Sequence, residues 1–267
     1  MPEHPLLIVD VFNAVFGPMV RAAGEAIGYQ FHNPAEPIPF YIVMSILILV
    51  GLTVISLLVR SRLSVENPGK LQLAAEGLVK GFVGLLEEWV GPKGPRFLPL
   101  IVTLGLFIII GNYMGMVPGL IAPTSSINVT LGCALTIWVY YHYQGIKAQG
   151  AWPYLKHFAA PPGAPLFIAP IMLPIEIISH FSRVLSLSLR LFGNVFGEEL
   201  VILILFGIIP FLVPLPMMFL GLITGGLQAV IFVLLSMVYL QGAVAVEHHE
   251  DEHGHDAPHG HQAPMAA

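Results

Sequence analysis

The sequence predicts an all-α integral membrane protein with about five transmembrane helices and one interfacial amphipathic helix. Three observations carry this. Hydrophobic residues make up 56% of the chain and charged residues only 10%, against about 25% charged in a typical soluble domain. The mean hydropathy is +0.81. The apolar runs are long and continuous rather than alternating in ten-residue strands, and in lipid every backbone polar group must be satisfied internally, so the spans are helices and not a barrel.

Residues 1–39 read as a loose, Pro-rich lead-in, with a short helix around Val9–Ala23. The beginning, MPEHPLLIVDVF, lacks the basic region and small-residue cleavage site of a signal peptide, and it lacks transit-peptide composition. The membrane domain runs from 40 to 246, and its first span, 40–59, is uncharged until Arg60 and Arg62. An interfacial helix follows at 67–90, with Asn67 as N-cap and Pro68 at the first helical position. Its apolar face is Leu71, Ala75, Leu78, Phe82, Leu85 and Trp89, and Glu76, Lys80 and Glu87 fall opposite.

The second span is 97–117, ended by Pro118, Gly119 and Pro123; the third is 126–143, closing on Trp138, Tyr140, Tyr141, His142 and Tyr143, an aromatic belt at the water boundary. A loop carrying Lys147, Lys156 and His157 leads to 166–209, one long and mostly apolar stretch. Prolines 210, 214 and 216 break it before the last span, 217–246. Residues 247–267 form a polar, acidic, His-rich tail that reads as disordered and cytoplasmic. Its spacing could chelate Zn²⁺, Cu²⁺ or Ni²⁺ loosely, and a solvated tail is the favoured reading. The lone cysteine, Cys133, sits in an apolar run and reads as a structural thiol.

Basic residues set the orientation. Arg60, Arg62, Lys70, Lys80, Lys93 and Arg96 flank the first span and the interfacial helix, whereas only Arg21 precedes that span. The positive-inside rule then puts the N-terminus outside, the 60–96 region inside and the C-terminus in the cytoplasm. Both basic loops fall inside with five spans. No internal repeat is visible, so an inverted-repeat transporter lacks direct support.

The informative segment is PIEIISHFSRVLSLSLRLFGNVFGEEL, Pro174–Leu200. At about 100° per residue, Glu176, His180, Arg183, Arg190, Asn194 and Glu198 share one narrow stripe, and Glu199 lies about a quarter turn off it. A charge at mid-membrane costs on the order of 3 kcal/mol, so these groups should face protein or water. Interhelical salt bridges could account for Glu176 and Arg183. Arg190 has no acid nearby on its own face, which points to a partner in another chain. In the last span Gln228 interrupts an apolar run and by itself reads as interhelical glue.

At these residues the sequence resembles subunit a of the F-type rotary ATP synthase. SLSLRLFGN at Ser186–Asn194, an acid at Glu199 and LQAVIFVLL at Leu227–Leu235 form the family's signature in order and spacing. NPGKLQLAAE, PTSSIN, the YLKHF loop and the Pro174–Glu176 stretch support it, and the resemblance covers the chain from about Phe40 onward, short of the His-rich tail. The resemblance implies a long tilted C-terminal helical hairpin packed against a ring of small proteolipid c subunits, each with one buried carboxylate. It implies two half-channels separated by Arg190. Glu176 belongs to the inside path; Asn194, Glu198, Glu199 and Gln228 belong to the outside path. His180, one turn from Glu176 on the stripe, is counted with the proton path. Glu198 and Glu199 with Gly221 follow the plastid and cyanobacterial pattern more than the mitochondrial one. Peripheral-stalk b subunits and the lipid of a bacterial plasma (inner) membrane complete the implied surroundings. No cofactor, metal or nucleic acid is implied, and no catalysis by this subunit alone.

Two other classes would also bury polar groups in apolar helices. A proton-coupled secondary transporter would also bury Glu, Arg and His, but would usually show a repeat and broken helices. A membrane metalloenzyme would need more than His180 within the membrane, and neither G-x-S-x-G nor H-E-x-x-H is present.

Overall fold

The computed structural model describes residues 7–28, 31, 33, 36–117, 119–154, 169–208 and 214–244. Lys156, His157 and the His-rich tail lie outside these. Seven α-helices of at least seventeen residues account for most of the described chain: α1 Leu7–Ala26, α2 Phe40–Ser61, α3 Lys70–Val90, α4 Leu98–Met114, α5 Ile127–Gln149, α6 Ala169–Ile208 and α7 Pro214–Val244. Single 3₁₀ turns at Gly94–Phe97 and Pro123–Ser125 precede α4 and α5. Among the described residues there is no strand.

Five stretches are long and apolar enough to cross a membrane: Leu7–Ala26, Phe40–Ser61, Gly94–Met114, Pro170–Ile208 and Pro214–Val244. The number matches the expectation, but the set differs. Helix α1 joins it, and α5, which covers the expected third span at 126–143, does not. The reason is composition: the second half of α5, WVYYHYQGIKAQ, is aromatic and polar. Its 23 residues are nevertheless long enough to span, and it packs against both α6 and α7.

The lead-in is more ordered than expected. Asn13 on α1 donates to the Ile38 carbonyl at 3.0 Å and accepts from the Ile38 N–H at 3.0 Å. One carboxamide thus satisfies both backbone groups of a residue just before α2, and ties the two helices. Helix α3 starts later than the Asn67-Pro68 signal indicated. Gly69 occupies the N-cap position without a side-chain cap, while Asn67 donates its N–H to Ser64 Oγ at 3.2 Å. The start is fixed instead by Gln72, which accepts from the Ser64 N–H at 3.0 Å and donates to the Ser64 carbonyl at 3.1 Å and to Glu76 at 2.8 Å.

The face of α3 that packs on protein overlaps the expected one only in part. It centres on fully buried Leu86, with Ala75, Phe82, Val83, Leu85 and Val90 half-buried beside it. Leu71, Leu78 and Trp89 are exposed. The helix is therefore apolar on two sides: one meets the bundle and the other is free for the lipid boundary.

The core sits where α4, α5, α6 and α7 meet, around Ile101, Ile108, Ile137, Leu187, Leu191, Phe232, Met237 and Leu240. Small residues let backbones approach, as is usual between membrane helices. A Cβ on Gly105 would lie 3.0 Å from Val233, and one on Gly225 3.4 Å from Asn112. Polar side chains stitch the helices at these close points. Asn112 donates to the Gly225 carbonyl at 2.9 Å, Tyr113 to the Leu222 carbonyl at 3.0 Å, and the Thr130 and Ser188 hydroxyls meet at 3.2 Å. The aromatic run at the end of α5 is only partly a belt: Tyr143 is exposed, but Tyr141 is buried and Trp138, Tyr140 and His142 are half-buried. They turn inward because α6 and α7 cover that face.

Candidate functional site

Helix α6 holds its polar residues along the margin between a buried and an exposed face. Val184, Leu187, Ser188, Leu191 and Val195 are buried against the bundle. Ile178, Phe181, Leu185, Leu189 and Phe196 face outward. The polar stripe runs between them, so each polar group can turn into the protein or away from it.

Arg190 turns away. It is exposed, on a strip with Ser182, Ser186, Leu189 and Gly193, and among the described residues it has no hydrogen-bond or ion-pair partner. Helix α7 continues the apolar surface with Phe219, Leu220, Ile223, Leu227 and Val230, all at least half exposed. With the exposed Phe181, Leu185, Leu189 and Phe196 of α6, this makes a surface far more apolar than a water-facing one tolerates.

Beyond Arg190 toward the α6–α7 turn, Asn194 and Glu198 meet α7 directly. Asn194 donates to Gln228 Oε1 at 2.8 Å. Gln228 is only 2% exposed and its Nε2 has no partner among the described residues. Thr224 donates to Glu198 Oε2 at 3.4 Å. Together with Gly221, Met217 and Ile231, these residues line a half-open cavity of about 230 Å³. A Cβ on Gly221 would coincide with the Glu198 carboxylate, so only glycine leaves room for this placement.

Glu199 points the other way, toward the 3₁₀ turn before α5. Its Oε1 accepts the Ala122 N–H at 3.2 Å. Thr124 and Ser125 in the same turn are buried, and the Thr124 hydroxyl has no partner among the described residues. Adjacent acids thus serve different walls of the bundle, as the quarter-turn offset between them requires. Thr224 is a polar residue within the apolar last span, whereas Ala122 carries no side-chain signal. Only the PTSSIN segment hinted that this turn mattered.

At the opposite end of α6 a second polar group assembles. His180 is buried, and its Nε2 lies 3.2 Å from Glu176. Its Nδ1 meets the Tyr141 hydroxyl of α5. The Arg183 guanidinium lies over the Tyr239 ring of α7 at 5.6 Å. No described Asp or Glu bridges Arg183, so in place of the interhelical salt bridges considered for Glu176 and Arg183 there are a Glu176–His180 contact and a cation–π contact. His142 Nδ1 meets the Tyr154 hydroxyl at 2.6 Å. In the sequence Tyr141 and His142 read as a surface belt, and Tyr154 stands out only as part of the YLKHF loop. Among the described residues no cluster of His, Cys, Asp and Glu could hold a metal ion.

The fold and this site define a multi-pass α-helical membrane protein with ionisable groups threaded along one long helix. The family described as ATP synthase A chain matches residues 40–241. ATP synthase subunit a of Geotalea daltonii is 41% identical over 247 residues, covering 92% of this chain and 99% of that protein. The subunit a of Syntrophobacter fumaroxidans is 43% identical over 247 residues, covering 92% and 100%. That of Geobacter sulfurreducens is 40% identical over the same length. The chain belongs to the ATP synthase subunit a family, whose members are membrane components of that complex.

Proposed function

We propose that the chain is the proton-translocating stator subunit of an F-type ATP synthase. Two half-channels pass protons to and from the carboxylates of a rotating ring of c subunits, and so couple the proton gradient to ATP synthesis. The observation that carries this reading is Arg190, a cation on an apolar outward face of α6 without a partner among the described residues. An arginine cannot lose its proton in a protein. Left in hydrocarbon it is costly, so a negative partner must come from beyond the described residues, and a neighbouring chain can supply it. A passing ring carboxylate meets that need transiently. Its deprotonation is favoured beside the guanidinium, and a proton attempting to cross directly is repelled.

In this reading Asn194, Glu198, Glu199 and Gln228 serve the outside path, and Glu176 and His180 the inside path. The 230 Å³ cavity at Glu198 and Gln228 gives the outside path a place for water. The subunit moves ions and makes no covalent bonds itself. Peripheral-stalk b subunits are further partners, and the host membrane is a bacterial plasma (inner) membrane. The basic residues place the 60–96 region and the C-terminus in the cytoplasm. If α1 also crosses, the N-terminus moves to the inside and every later loop keeps its side.

The test is Arg190→Ala in the complete complex reconstituted into vesicles, with assembly checked by co-purification of the ring. Proton-driven ATP synthesis is expected to vanish while passive proton leak persists or rises. Arg190→Lys keeps the charge but loses the planar fork, and is expected to stay badly impaired. Normal synthesis by the Ala variant refutes the mechanism.

A further inference from the structure

The polar cluster at the Glu176 end of α6 is built more closely than a water-filled mouth requires. His180 is 8% exposed and Tyr141 3%. The imidazole is bonded at both nitrogens, to the Tyr141 hydroxyl through Nδ1 and to Glu176 through Nε2. Its two partners differ in access: the Glu176 side chain is 41% exposed, the His180 side chain 10%. The His142 ring lies 4.8 Å from that of His180, centroid to centroid. Every element packed here contributes a titratable or charged group: Tyr141 and His142 from α5, Tyr154 just after it, Glu176 and Arg183 from α6, and Tyr239 from α7.

We infer that His180 is a one-proton holding station on the Glu176 side of the path, with Tyr141 and His142 as its positioning residues. The inference rests on the proton-path reading above and names the device within it. Both charge states find partners in this geometry. In the empty state Nε2–H donates to the Glu176 carboxylate and Nδ1 accepts from the Tyr141 hydroxyl. In the loaded state both ring nitrogens carry protons, Nδ1–H donates to Tyr141 Oη, and the imidazolium pairs with the Glu176 carboxylate. A hydroxyl can donate or accept, so Tyr141 serves both states by reversing its role. Loading takes one proton from water and release returns it; only N–H and O–H bonds change.

His142 limits the occupancy. Two imidazolium rings at this separation, with the permanent Arg183 charge beside them, would repel strongly in a partly buried setting. The pair of rings therefore carries one mobile proton at a time. Burial pushes the Tyr154 phenol up to about 12, so it remains an un-ionised partner for His142 across the working range.

The experiment uses the complete complex in vesicles, with pH varied separately on each side and proton-driven ATP synthesis recorded. The native complex is expected to show a step in rate with pH on the Glu176 side. His180→Gln should abolish that step. Tyr141→Phe removes the acceptor that the imidazolium needs, so its step should move to lower pH. His142→Gln removes a competing positive site, so its step should move to higher pH. A merely structural role would lower rates without moving the midpoint. Retention of the native step by His180→Gln and Tyr141→Phe, in complexes where Arg190→Ala is inactive, overturns the station and leaves the stator reading intact. If His180→Gln fails to assemble, unmoved midpoints in Tyr141→Phe and His142→Gln overturn it equally. Normal synthesis by Arg190→Ala would instead remove the reading on which the station depends.

Discussion

At Gly221 a missing side chain decides where a carboxylate sits. The Glu198 carboxyl group occupies the space that a Cβ at 221 would need. Gly221→Ala should therefore push Glu198 away from Thr224. The displaced atoms end a flexible side chain, so stability should change by no more than about 1 kcal/mol. Proton-driven synthesis should nevertheless fall several-fold in assembled complexes, and an unchanged rate would show that the placement of Glu198 is immaterial. Glu199 is separable from it, because its partner is the Ala122 N–H on a different wall. Glu199→Gln should slow transport and shift its dependence on outside pH. An outside shift produced by Glu176→Gln alone would reverse the assignment of the two paths. Glu198 and Asn194 stand out in the sequence because polar groups in apolar helices are expensive, and Gln228 joins them only through the family resemblance. Tyr141 does not stand out: a tyrosine in the run YYHY reads as an interface anchor until a neighbouring helix covers it.

At the scale of elements, periodicity located the helices well and their faces less well. Helix α6 was legible as one long segment, and its stripe followed from the 3.6-residue repeat. Helix α3 was legible too, but the choice between its two apolar faces depends on the packing of Leu86, which no local pattern encodes. Its capping signal misled because Gln72, from inside the helix, holds the preceding loop. Part of the order within the lead-in comes from the carboxamide of Asn13, which meets a backbone 25 residues away. Topology is testable here. Gly119 and Gly150 have positive φ, +87° and +86°, where any side chain is strained. Flanking exposed residues are better label sites. Cysteines at Val117 and Trp152, which are 50% and 76% exposed, should react with a membrane-impermeant thiol reagent from opposite sides. Reaction from one side only would overturn the alternation of spans.

At the scale of the whole molecule, function is expected to reside between α2 and α7. Removing the residues after Glu247 should leave proton-driven synthesis largely intact, and loss of it in an assembled complex would give the His-rich tail a role in transport. The length of α6 carries a further consequence. Its 40 residues extend about 60 Å, against a hydrocarbon slab of about 30 Å. Lying wholly within that slab would incline it about 60° from the normal by that geometry. Glu176 and Glu199 are 23 residues apart, or about 34 Å along the axis, which at that inclination is roughly 17 Å of depth and 30 Å of sideways travel. The two stations would then differ more in longitude than in latitude. A carrier loaded at one and emptied at the other has to be swept across the plane of the membrane, and a sideways sweep is the displacement that a wheel set on edge against this helix converts into turning.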